Sequence, residues 1–104
     1  SEPCVQGMKN NPKIKLVFTG NVSKAESEEL LSGMSWGEGY SVQCVSNVLR
    51  DPAAIPIVTN ADYIILVEKQ EKSTYSEIGR ELEALKAWKK EVLGVIVIGV
   101  DAIP

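Results

Sequence analysis

Apolar and polar positions along this chain switch between two rhythms. Lys13–Thr19 (KIKLVFT) alternates charged and apolar residues before turning apolar, which predicts a strand, and Gly20-Asn21 then reads as a loop. Ser23-Lys24-Ala25-Glu26 sets a Ser three residues before a Glu. That spacing predicts a helix start at which the Ser hydroxyl accepts from the Glu26 amide and Glu26 reaches back to the cap. The helix should turn Ala25, Leu30, Leu31 and Met34 to a core, carry Glu26, Glu28 and Glu29 near its positive end, and stop at Gly33 and the 35–39 stretch. Tyr40–Val45 alternates with period two, a second strand. Asp51-Pro52 is a helix start, Asp as cap and Pro in the first helical position, for a short helix to about Asn60. Pro56 falls near its first turn, where a missing amide costs least. Asp62–Lys69 is a near-continuous β-branched run, the mark of a central parallel strand covered on both faces. Thr74 with Glu77 repeats the capping pattern. Tyr75, Ile78, Leu82, Leu85 and Trp88 then form an apolar stripe, with Glu77, Glu81 and Glu83 early and Lys86, Lys89 and Lys90 late, as the helix dipole favours. Val92–Val100 (VLGVIVIGV) reads as a second strand of the buried type.

The order is β-α-β-α-β-α-β. Strands alternating with helices predict an α/β domain, a four-stranded, mainly parallel sheet with right-handed crossovers and helices on both faces, in the Rossmann-like, three-layer manner of P-loop ATPases. Residues 1–12, with Gly7, Asn10, Asn11 and Pro12, read as a polar linker or tail, and 13–104 as one domain. Ser1-Glu2-Pro3 has no signal-peptide character and reads as the cut edge of a longer protein.

Composition narrows the function classes. A chain of 104 residues, 44% hydrophobic and 24% charged with a net charge of −3, is an ordinary globular domain rather than a disordered chain. Its acidic balance lacks the basic stripe of a nucleic-acid binder, so no nucleic-acid partner is expected. There is no histidine, which removes His-based triads, His metal sites and His proton shuttles. Cys4 and Cys44 stand alone without a Cys-x-x-Cys pair, so no metal site is expected. They read as free thiols in a reducing, cytoplasmic compartment. No apolar run is long enough to span a membrane, although the parent protein could carry a membrane anchor elsewhere.

In open parallel sheets, ligands bind beyond the carboxyl ends of the strands. Those ends here are Thr19-Gly20-Asn21, Ser46-Asn47, Glu68-Lys69 and the 99–101 stretch. Thr19, Gly20, Asn21, Ser46 and Asn47 are therefore the ligand-binding candidates. Gly20-Asn21-Val22-Ser23 leads into a helix N-terminus, an intrinsic anion site, but it lacks the glycines and Lys of a phosphate loop. An ordinary turn with a cap and an anion site both remain open. Glu68, Glu71 and Asp101 read as solvated acids with no partner nucleophile. Trp36, in Ser35-Trp36-Gly37-Glu38-Gly39, either plugs the sheet edge or anchors a partner. A phosphotransfer carrier with Cys or Asp as acceptor is an alternative, against which Cys44 lies mid-strand rather than beside a helix N-terminus.

From about Lys15 to Gly99 the chain resembles a known family. Its carriers are Leu16-Val17-Phe18-Thr19-Gly20, Ser27-Glu28-Glu29-Leu30-Leu31-Ser32, Gly39–Asn47 followed by Asp51-Pro52-Ala53, Ala61-Asp62-Tyr63-Ile64-Ile65-Leu66-Val67, and Leu93-Gly94-Val95-Ile96-Val97-Ile98-Gly99. In order and spacing these are similar to the C-terminal half of the bacterial tyrosine kinases and chain-length regulators of capsular and exopolysaccharide synthesis, members of the MinD-like P-loop ATPases. The departures matter as much. No Walker A loop with its Lys is present, and the family's magnesium-holding Asp falls near Val45, with Ser46-Asn47 following. Phosphoryl transfer rests on positioning phosphates and Mg²⁺. The resemblance therefore implies a degenerate relative without cofactor or catalytic residue. Such a relative would be a non-catalytic interaction or regulatory domain for polysaccharide chain-length control, with a protein partner or self-association. A small-ligand or anion-binding regulatory domain is the alternative.

Overall fold

The computed structural model describes residues 12–70 and 73–99. Its elements run β1 (Ile14–Gly20), α1 (Lys24–Ser32), β2 (Tyr40–Cys44), α2 (Ala54–Thr59), β3 (Tyr63–Lys69), α3 (Tyr75–Ala87) and β4 (Glu91–Ile98). The four strands make one parallel sheet in the order β2-β1-β3-β4, the Rossmann-like, three-layer arrangement expected from the alternating pattern. Cys4, Glu71 and Asp101 lie outside the described residues.

Side-chain alternation in the central strands feeds two cores. Val17, Ile64 and Leu66 point to one face, where Ala54 and Val58 of α2 and Leu85 of α3 close over them, with Trp88 packed alongside. Phe18 and Val67 point to the other face, where Leu30 and Leu31 of α1 pack with Cys44 and Val22. In register, Val17 of β1 meets Gln43 of β2 and Ile64 of β3. Both capping patterns form. Ser23 and Thr74 accept from the amides of Glu26 and Glu77 at 3.1 Å, and each Glu accepts from its cap amide in return.

Five expectations are corrected. β4 is an edge strand rather than a covered one: Leu93, Val95 and Val97 are 53%, 43% and 61% exposed, because among the described residues only β3 flanks β4. A bulge sets Val92 against Ile64 and Gly94 against Ile65, leaving Leu93 as the extra residue. On α3 the inward stripe is Ile78, Glu81, Leu85 and Trp88, whereas Tyr75 is almost fully exposed and Leu82 faces outward. α1 buries Ser27 and half-buries Leu30 and Leu31, and it leaves Ala25 and Met34 exposed. α2 starts at Ala54 rather than Pro52, though Asp51 Oδ1 still accepts from the Ala53 amide at 3.0 Å. Pro56, third in α2, falls where a helix amide has no intrahelical acceptor, so its missing N–H breaks no bond. Finally, Glu68 is buried, not solvated.

Candidate functional site

The strand order creates one topological switch point. From β1 the chain steps to β2 on one side, then crosses to β3 on the other, so the loops after β1 and β3 diverge and leave a crevice beyond their carboxyl ends. This crevice is open and about 570 Å³, a size that fits a small ligand. Gly20 to Ser23, Ser46, Asn47, Arg50, Lys69, Glu26 and Glu77 line it. Four of the five candidates read from the sequence therefore meet here. Thr19 does not line the crevice: it is buried, and its hydroxyl donates to the Ser46 carbonyl at 2.8 Å, tying the end of β1 to the end of β2.

Each loop residue has a structural task. Gly20 sits at φ +152°, and a Cβ there would lie 2.1 Å from the Val67 carbonyl oxygen, so the approach of β1 to β3 admits only glycine. Asn21 Nδ2 donates to Ser73 Oγ at 3.3 Å, and Asn47 Oδ1 accepts from the Leu49 amide at 2.8 Å as a side-chain turn. Trp36 lies away from the crevice, at the β2 side. It packs edge-on to Phe18 with ring centroids 5.8 Å apart and an interplanar angle of 72°, while 38% of it stays exposed.

The electrostatics of the crevice are self-contained. The first βα loop is the place where doubly wound folds hold phosphates, against helix amides and cations. Here Glu26 uses Oε1 to accept from the Ser23 amide and Oε2 to accept from Lys69 Nζ. Glu77 does the same at α3: Oε1 accepts from the Thr74 amide, and Oε2 lies 3.2 Å from the Arg50 guanidinium. Two helix N-termini and two cations, one from β3 and one from the β2–α2 loop, are thus each matched to a carboxylate of the chain itself. The Lys69 ammonium and the Ser23 amide hold the Glu26 carboxyl down at about 2.

Behind the crevice lies a pair that sequence reasoning missed. Glu68 of β3 and Glu81 of α3 are each 1% exposed, and Ser73 Oγ donates to Glu68 Oε1 at 2.6 Å. Asn21 bonds the same hydroxyl, so a chain of polar contacts runs from the loop after β1 to the buried acids. Neither Glu81 oxygen nor Glu68 Oε2 has a donor among the described residues. Burial, followed by the hydrogen bond to Glu68 and the charges of Glu68 and Glu77, pushes the Glu81 carboxyl up to about 9, against a small opposing pull from Arg50. At neutral pH Glu81 is therefore the protonated acid, and its O–H supplies the donor that Glu68 Oε2 otherwise lacks. The signal was the position of Glu81, three residues after Ile78 and four before Leu85, on the inward side of the helix.

Cys44 is a free, buried thiol that burial pushes up, followed by the nearby charge of Glu28, so it stays a thiol rather than the thiolate an acceptor nucleophile needs. Among the described residues no group of acids and cysteines is placed to hold a metal, and no helix is long and apolar enough to cross a membrane. Compared with protein-family models, with curated proteins and with solved structures, the chain matches none.

Proposed function

We propose that this chain is a non-catalytic interaction and regulatory domain of the kind attached to capsular or exopolysaccharide assembly, working in the cytoplasm without nucleotide hydrolysis. One observation carries the non-catalytic part: the places that phosphates would take, two helix N-termini with their cations Lys69 and Arg50, are matched to Glu26 and Glu77. A nucleotide would have to displace both carboxylates from amide and cation at once, and the loop Gly20-Asn21-Val22-Ser23 offers no Lys to help. The polysaccharide part rests on the family resemblance of Lys15 to Gly99. Isothermal titration of the purified protein with Mg-ATP tests the reading. No heat of binding is expected up to millimolar nucleotide, and either micromolar binding or hydrolysis above background overturns it.

A second reading is favoured by the size of the crevice and by Asn21, Ser46, Asn47 and Arg50 on its wall. In it the crevice takes a small polar ligand whose anionic group competes for Arg50. A ligand at 100 times its Kd stabilises by about 2.7 kcal/mol, which a thermal-shift screen with inorganic phosphate and nucleotide sugars reads directly. A shift that Arg50→Ala and Asn47→Ala leave intact removes the crevice as its site.

A further inference from the structure

Among the described residues, the edge of the sheet at β4 is open in a way that the other edge is not. β2 is five residues long and interleaves Ser41 and Gln43 with its apolar positions. β4 is eight residues long, and from Val92 to Ile98 it has no charged residue, no proline and no polar side chain. Only β3 pairs with it among the described residues, so its outer row of amides and carbonyls faces outward beside exposed Leu93, Val95 and Val97. Monomeric proteins blunt such edges with lysines, prolines, inward charges or bulges, and along Val92–Ile98 the one such device among the described residues is the bulge at Leu93.

We propose that β4 is a self-association surface, on which two copies pair antiparallel about a two-fold axis to make one continuous eight-stranded sheet. The charge pattern selects a second copy as the occupant. Like charges set opposite one another across a ladder destabilise it, and two copies of β4 set none along Val92–Ile98 while adding apolar cross-strand pairs; β2, the other edge strand, is also uncharged but is only five residues long and carries Ser41 and Gln43. Antiparallel pairing sets the two Glu91 residues at opposite ends of a ladder about 26 Å long, so they do not repel. It also brings each Glu91 to the end of the partner's sheet where Lys69 pairs in register with Ile98. Both side chains lie on the α1 face, since Glu91 pairs with Tyr63, and Tyr63, Ile65, Val67 and Lys69 alternate to that side. A symmetric, self-complementary contact of this kind closes at two copies. One ladder of eight residues is smaller than the interface of about 1,600 Å² typical of stable complexes, so the dimer is weak and concentration-dependent. This inference names the partner for the interaction-domain reading and rests on it. The two fail separately, because one is read by mass and the other by Mg-ATP binding.

Sedimentation equilibrium of the whole chain, from about 10 µM to about 1 mM, should pass from monomer toward dimer, the weak range set by so small an interface. Val95→Lys and Val97→Lys should each abolish the dimer at every concentration while the circular dichroism spectrum stays native. Val97→Thr keeps the β-branched shape and covers the case in which a lysine variant does not fold; it should weaken the dimer at least several-fold. Trp36→Ala should leave the dimer unchanged. Wild type that stays monomeric to 1 mM overturns the proposal. So does a dimer that survives the folded β4 variants, or one that Trp36→Ala removes.

Discussion

Glu81→Gln offers the sharpest test of the buried acid pair. Glu81 is 1% exposed and holds its proton up to about pH 9, whereas in the unfolded chain it ionises near 4.5. Between those values the folded protein binds a proton that the unfolded protein has released, so stability falls as pH rises, by about 1.4 kcal/mol per pH unit. Below about 4.5 both states are protonated and the penalty vanishes; above about 9 it is complete. At pH 7, 2.5 units above 4.5, the native state has given up about 3 kcal/mol. Glutamine keeps the shape and the donor to Glu68 but cannot ionise, so it should remove that slope. Urea unfolding followed by circular dichroism at pH 5, 6, 7 and 8 measures it. The variant and wild type should differ by less than about 1 kcal/mol at pH 5, and the variant should be the more stable by about 3 kcal/mol at pH 7. Parallel pH dependence of the two proteins from 5 to 8 would show that Glu81 is ionised in the native state and would refute the assignment. Glu26 acts in the opposite direction. Its folded value near 2 gives stability that is present above about 4.5 and lost as pH falls toward 2, so the wild-type maximum should lie near pH 5.

Gly20→Ala must fit a Cβ 2.1 Å from the Val67 carbonyl at φ +152°, and it should cost more than about 2 kcal/mol in urea unfolding. A loss below 0.5 kcal/mol would mean that β1 and β3 separate there at little expense. Ser23→Ala and Thr74→Ala each remove an N-cap acceptor and should cost about 1 kcal/mol. The caps sit on different helices, so the double variant should be additive, again by urea titration. Lys89 holds φ +58° just past α3, so Lys89→Gly should be neutral or stabilising by a few tenths of a kcal/mol, and a loss above 1 kcal/mol would contradict the backbone reading. Cys44 should react with a thiol reagent only after unfolding, and fast labelling of the native protein would mean that it is not buried.

Much of the fold was legible because its signals are local. Ser23 with Glu26 and Thr74 with Glu77 are contacts across three residues, and both form as the spacing predicts. The strand-end candidates Gly20, Asn21, Ser46 and Asn47 converge because every parallel strand ends at the same edge of the sheet. What was not legible depends on neighbours far along the chain. Ile64–Val67 and Val95–Ile98 look alike as apolar runs, yet one lies at the centre and the other at the rim. Glu81 and Leu82 are adjacent, and the window fits a stripe through either one: Ile78 and Leu85 share a face with Glu81, while Tyr75, Ile78 and Leu85 also share one with Leu82, so local spacing does not choose between them. The rotation of α3 about its axis follows from packing Leu85 and Trp88 on the sheet, and Glu68 across the way makes the inward acid tolerable.

By itself, then, the sequence determined the alternation of strands and helices, the caps that start two helices, and the set of polar residues at the strand ends, all of which arise from contacts within a few residues. The tertiary structure alone decided the strand order, and with it the crevice, the matching of Lys69 to Glu26 and of Arg50 to Glu77, the buried Glu68–Glu81 pair and the open β4 edge. The reason is physical. Strand order is set by which crossovers let both faces of the central strands be covered at once, a condition on the whole chain that no short window contains.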